Sequence, residues 1–127
     1  MSAPAKVMRE KFAAITDTET FGYSLRDFLD RFRDAPSYDL IAEEPELLEP
    51  RLNDGGRADA FLASTAAYLA QKHQLPVPNW ASGTSRALER PWFAAKTHNL
   101  RMILLQESPA AFRVRNIFVS ANALSRA

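Results

Sequence analysis

The sequence contains no cysteine, only two histidines and four glycines, and no long apolar run. Without cysteine there is no disulfide framework, no thiolate nucleophile and no cysteine-based zinc site. His73 and His98 fall in neither H-x-x-x-H nor H-E-x-x-H spacing, so no metal centre is expected. His73 sits near a helix end and His98 beside a helix cap, where capping or surface roles account for them. The apolar run Met102-Ile103-Leu104-Leu105 is one helical turn, far below the ~20 residues that span a bilayer, so it is expected in a core and no membrane contact is expected. Met1 to Glu10 holds no apolar stretch of the kind that marks a secretory leader. No G-x-S-x-G elbow occurs. Ser24, Ser37, Ser108 and Ser120 precede expected helices and read as caps rather than nucleophiles. These absences point to a cytoplasmic protein with no cofactor, no metal and no catalytic residue in its local motifs.

What is present is an uneven charge. Residues 1–63 carry 8 Lys/Arg against 13 Asp/Glu, a net of −5, and residues 64–127 carry 8 against 2, a net of +6. The whole-chain net of +1 therefore hides a polarised molecule. A length of 127 residues fits one domain, and 46% apolar residues are enough for a core at that size.

The local patterns read as helices. Val7, Met8, Phe12 and Ile15 have helical spacing over 5–15. Residues 16–21 read as a loop, with Ser24 capping a helix whose buried stripe is Leu25, Phe28, Leu29 and Phe32. Pro36 ends that helix, and Ser37 caps a short one through Ile41. Pro45 and Pro50 bracket a turn, Glu46-Leu47-Leu48-Glu49. Asn53-Asp54-Gly55-Gly56 is a turn signal, followed by a helix from Arg57 to about His73 with Phe61, Leu62, Thr65, Tyr68 and Leu69 inward. Leu75 to Trp80 is expected extended, with Pro76 and Pro78. Thr84 or Ser85 caps a short helix before Pro91. Thr97 caps a helix over 98–107 with Leu100, Ile103 and Leu104 inward, and Ser108-Pro109 starts another that ends near Asn116. Residues 117–119 read as extended and 120–124 as a last turn. The fold class is thus all-α: a single compact domain of five to seven short and medium helices joined by Pro-rich irregular connections. Residues 1–20 form an N-terminal helical extension and 21–127 a single helical domain.

Asp27, Asp30 and Asp34 recur at helical spacing among Arg26, Arg31 and Arg33, which reads as a solvated, salt-bridged face. The basic set is Lys72, Arg86, Arg90, Lys96, Arg101, Arg113, Arg115 and Arg126. It is sparse for a nucleic-acid module, although Trp80, Trp92 and Phe93 are of the type that stacks on bases. Tryptophan and arginine dominate protein-binding hot spots. Trp92 and Phe93 with Arg90, and Arg113 with Arg115, are therefore the candidate partner-binding residues. The opposing reading of the two later arginines is that they pair internally with the acidic half.

The order of several words carries a resemblance. Glu43-Glu44-Pro45 comes first, then Asp59-Ala60-Phe61-Leu62-Ala63, Leu75-Pro76-Val77-Pro78-Asn79-Trp80 and Arg90-Pro91-Trp92-Phe93. Ser108-Pro109-Ala110-Ala111-Phe112-Arg113 and Asn116-Ile117-Phe118-Val119 follow. Over about residues 25–127 the chain resembles a group of small bacterial proteins, often encoded beside a nucleotidyltransferase-like protein in an arrangement like that of an antitoxin and a nucleotidyltransferase-type toxin. The resemblance implies a non-catalytic protein-binding role in a toxin–antitoxin pair, and supplies no catalytic residue. The alternatives are a helical, autoregulatory nucleic-acid-binding protein, with 98–107 and 109–115 as a helix-turn-helix, or a small enzyme whose site is assembled by the fold.

Overall fold

A computed structural model describes residues 6–95 and 97–120. The expected turn over 120–124 lies outside the described residues beyond Ser120, as do Lys96 and Arg126 of the basic set.

The chain is mostly helical, with six α-helices among the described residues. Helix α1, Met8–Lys11, is a single turn rather than the longer element its spacing predicts. Helix α2, Thr18–Asp34, starts before Ser24. Its cap is Asp17, whose carboxylate accepts the Thr20 amide at 2.7 Å and the Thr20 hydroxyl at 2.8 Å. Those bonds hold the Asp17 carboxyl below the usual aspartate range, the Thr20 amide contributing most. The expected loop over 16–21 and the expected Ser24 cap are corrected accordingly: Asp17 caps the helix seven positions earlier, and Phe21 in the added turn packs on Phe12. The expected division after residue 20 falls inside α2, and Met8, Phe12 and Ile15 lie in the same buried cluster as Phe28, Leu29 and Phe32.

Ser37 caps a 3-10 turn at Tyr38–Leu40 as its position predicts, accepting the Asp39 amide at 3.3 Å. Helix α3 covers Glu49–Leu52, so Pro50 lies in its first turn instead of closing the preceding one; a missing N–H costs nothing there. Asn53, Gly55 and Gly56 all take positive φ, and Asp54 accepts the Gly56 and Ala58 amides at 3.0 and 2.9 Å. That turn launches α4, Arg57–Lys72, the axle of the molecule. Ala58, Ala60, Ala63, Ala66, Ala67 and Ala70 are all buried. Alanine has the best helix propensity and lets neighbours approach closely, so α4 is covered on nearly every side rather than along one stripe.

Residues 79–82 and 84–86 form 3-10 turns. Helix α5, His98–Glu107, carries the expected Thr97 cap, which accepts the Leu100 amide at 3.4 Å. Helix α6 is only Ala110–Arg113. Ser108 does not cap it. The Ser108 hydroxyl instead accepts the Val119 amide at 2.9 Å and donates to the Leu104 carbonyl at 2.6 Å, tying the end of α5 to the last strand.

The all-α expectation needs one correction. Two-residue strands β1, Trp92–Phe93, and β2, Ile117–Phe118, pair in parallel, with Trp92 opposite Ile117 and Phe93 opposite Phe118. The Leu88 amide donates to Arg115 O, Trp92 to Asn116 O and Ala94 to Phe118 O, at 3.1, 2.8 and 3.0 Å. Strands this short have no period to read, and their partner lies across α5 and α6. Among the described residues no helix is long and apolar enough to cross a membrane.

Candidate functional site

The acidic face on α2 is occupied with itself. Asp27 pairs with Lys11 and with Arg31 (3.3 Å), and Arg33 reaches Asp30 and Asp34 at 3.6 and 3.3 Å. The Lys11 hydrogen bond is the main reason the Asp27 carboxyl titrates below its ordinary value. This is the solvated, salt-bridged face the spacing predicts. His73 packs edge-on to Phe32 at 5.2 Å, and His98 is an exposed first residue of α5. Among the described residues no three His, Cys, Asp or Glu side chains come together in a way that could hold a metal.

The two arginines paired in the sequence do not share a surface. Arg113 is exposed, whereas Arg115 is 9% exposed. The Arg115 guanidinium donates to Ala81 O at 3.1 and 2.9 Å and to Ala111 O at 2.6 Å. Arg115 therefore holds the connection at 81 to α6, and burial pulls its pKa down. The opposing internal reading is right about its burial and wrong about the acceptor, which is backbone carbonyl and not the acidic half.

Arg90, Trp92 and Phe93 do come together. β1 places them along an open cleft of about 880 Å³ that Arg101 also lines. Phe93 stacks on Phe118 with centroids 4.7 Å apart. The Arg101 guanidinium lies 5.5 Å above the Phe93 ring, and its Nε donates to Ala95 O at 3.2 Å. Arg57 lies 5.0 Å from the Trp92 ring on the other side. The strand thus presents two aromatic rings, each under a guanidinium, a geometry in which cation–π attraction holds the arginine in place.

Next to the cleft, α5 departs from expectation. Leu104 alone of its residues is buried. Leu100, Met102, Ile103 and Leu105 are 51%, 47%, 46% and 40% exposed, and Val114 nearby in sequence is 73% exposed. The expected inward set of Leu100, Ile103 and Leu104 is corrected to Leu104, and of the run Met102–Leu105 only Leu104 is buried. The apolar positions go round the helix instead of forming one stripe, and a single contact surface cannot bury them all. Leu100, Ile103 and Glu107 line one side of a second cleft, about 510 Å³, with Trp92, Phe61 and Val119 opposite. Sequence reasoning named Arg101 only as one of the basic set, and missed Arg57 and the exposure of α5. The signal for the last was present, since Met102 and Leu105 lie off the face that Leu100 and Leu104 share.

A buried charge network sits apart from this surface. Arg86 is 1% exposed. It donates to Glu44 Oε2 at 3.3 and 3.0 Å and to Pro45 O, and lies 3.6 Å from Asp59 Oδ1. Asp59, also 1% exposed, accepts the Leu48 and Glu49 amides at 2.6 and 3.1 Å. Desolvation pushes the Asp59 carboxyl up, against the pull of those amides and of Arg86. The network clamps residues 44–49 to α4.

The chain matches no protein-family model, no curated protein and no solved structure.

Proposed function

We propose that this chain is a non-catalytic protein-binding module that docks through β1 and α5, and that its partner is a nucleotidyltransferase-type toxin, as the sequence resemblance implies. The observation that carries the reading is α5: four large apolar side chains lie 40–51% exposed on one ten-residue helix. Leu100 and Ile103 line the groove beside Trp92, and exposed apolar surface rimmed by charge is characteristic of partner-binding sites. The rim is basic, with Arg90 and Arg101 at the Trp92–Phe93 cleft. Nucleotidyltransferases hold Mg²⁺ and a nucleoside triphosphate through carboxylates, so arginines that approach such a site are electrostatically matched to it. Arg113 remains in this scheme as an exposed contact. Arg115 leaves it, because its donors are used internally. Trp92, Phe93 and Ile103 supply the apolar anchor.

The alternative nucleic-acid reading needs a groove-facing helix, and α6 is a single turn with Ala111 and Phe112 buried. The test is co-expression with the toxin. Ile103→Glu and Arg101→Ala are expected to lose growth rescue and co-purification while unfolding at the wild-type temperature. Retention of rescue by both variants refutes the docking face. Steep salt-dependent binding to duplex DNA that needs Arg90 and Arg101 would move the assignment to nucleic acid.

A further inference from the structure

A third concavity, about 270 Å³, lies on the other side of Trp92 from the α5 groove, between α2 and the start of α4. Phe21, Gly22 and Leu25 of α2 form one wall, and Arg57, Phe61 and Trp92 close the other. Phe21 meets Phe61 edge-to-face at 6.5 Å, so the lining is mainly aromatic and apolar, with Thr18, Asp54 and Arg57 as its polar members.

Two residues here bear on what the cleft could hold. Gly22 sits inside the 17-residue α2. Glycine is the least favourable helix residue after proline. Nothing lies within 4 Å of where a Cβ would be, and Gly22 does not have positive φ. Neither close packing nor backbone conformation requires a glycine at this point; what it leaves is open space in the cleft. The second residue is Arg57. Its guanidinium lies over Trp92, and among the described residues it has neither a carboxylate nor a hydrogen-bond acceptor. Asp54 lines the same cleft, but it does not pair with Arg57 and its oxygens accept the Gly56 and Ala58 amides. Arg57 is also the first residue of α4, where the helix dipole disfavours a cation. An anion placed beside it offsets both features.

We infer that this cleft binds a small apolar acid, its ring or chain lying over Gly22 against Phe21, Phe61 and Trp92, and its carboxylate on the Arg57 guanidinium. One arginine matches one carboxylate in a paired-hydrogen-bond geometry. A doubly charged phosphate group would ask for a second cation, and the cleft lining has none. The volume suits a naphthyl-sized group, near the lower end of small-molecule sites. The inference stands on residues separate from α5 and does not depend on the docking proposal.

The test uses 2-naphthoate and its uncharged analogue 2-naphthalenemethanol, titrated into the full chain and followed by quenching of tryptophan emission. Wild type is expected to bind the acid about tenfold tighter than the alcohol, the ratio of one charge-assisted contact. Arg57→Gln should bring the acid down to the level of the alcohol and leave the alcohol unchanged. Gly22→Leu fills the cleft and should weaken both by tenfold or more, with helical circular dichroism retained. Equal binding of acid and alcohol by wild type overturns the inference, as does undiminished acid binding by folded Gly22→Leu. If Gly22→Leu does not fold, Arg57→Gln decides alone: a preserved acid preference overturns the assignment, and its loss supports it.

Discussion

Replacing Arg86 by methionine keeps the length of the buried stem and removes its charge. In the wild type that charge faces Asp59 at 3.6 Å, with both residues 1% exposed. Glu44 also pairs with Arg86, but its side chain is 52% exposed, so solvent screens its share to about 0–1 kcal/mol. The main consequence of Arg86→Met is an Asp59 carboxylate left buried without a countercharge. Breaking such a pair from one side costs about 3–5 kcal/mol, and the orphaned Pro45 carbonyl falls within that range. Against a typical total of 5–15 kcal/mol this is a large loss. Asp59→Asn should cost less, about 1–2 kcal/mol, because it relieves desolvation while keeping one acceptor for the Leu48 amide. The double variant should be more stable than the sum of the singles predicts, by about 1 kcal/mol or more. The pH dependence has a definite sign. Asp59 titrates above its ordinary 3.8 in the folded chain, chiefly through desolvation. The stability from its tighter proton is complete below that ordinary value and is lost as pH rises through the raised folded value. Wild type should therefore lose ground to Asp59→Asn as pH rises across that window. In Arg86→Met the window should shift upward, since Arg86 pulls the Asp59 pKa down. Urea unfolding of the four proteins from acid to neutral pH measures all of this. A cost for Arg86→Met below about 1 kcal/mol, or strict additivity, refutes the account of the clamp.

Two further predictions concern α4 and α5. Gln74 follows α4 with φ 59°, and the Leu75 amide closes the helix onto Ala70 O at 2.7 Å. Left-handed closure favours glycine, so Gln74→Gly should stabilise by roughly 0.5–1 kcal/mol in thermal or urea unfolding; destabilisation would show that Gln74 makes a contact that matters more than its backbone. Leu104→Ala should cost about 2–5 kcal/mol, because the side chain is 7% exposed, whereas Ile103→Ala should change stability by no more than about 0.5 kcal/mol. Equal costs for the two, measured by urea midpoint at unchanged slope, would mean that the exposure of α5 is misassigned.

Local chemistry was legible in the chain. The Asn53–Gly56 turn, the Ser37 and Thr97 caps, the course of α4 and the Arg31 and Arg33 pairs of the acidic ridge each depend on residues within a few positions of one another, and hydrogen bonds and helical spacing act at that range; the Asp27–Lys11 pair, 16 positions apart, does not. The start of α2 was misjudged because two residue types that can both cap lie seven positions apart, and only the packing of Phe21 against Phe12, rings 5.5 Å apart, brings the earlier turn into the helix. The candidate site was legible only in part: Arg90, Trp92 and Phe93 lie within four residues of one another and line one cleft, with Trp92 and Phe93 on β1.

What the tertiary structure alone decided is which charges and which apolar groups face outward. Arg113 and Arg115 are two positions apart, yet one is exposed and the other is held by the carbonyls of Ala81 and Ala111. Met102, Ile103 and Leu105 have the composition of a core and lie at the surface. Burial is a property of what arrives from elsewhere in the chain, here β2 and the 3-10 turns around residue 81. Residue types and spacing determine helices, turns and total charge, because those energies are local; they do not determine which side of a helix is left without a neighbour.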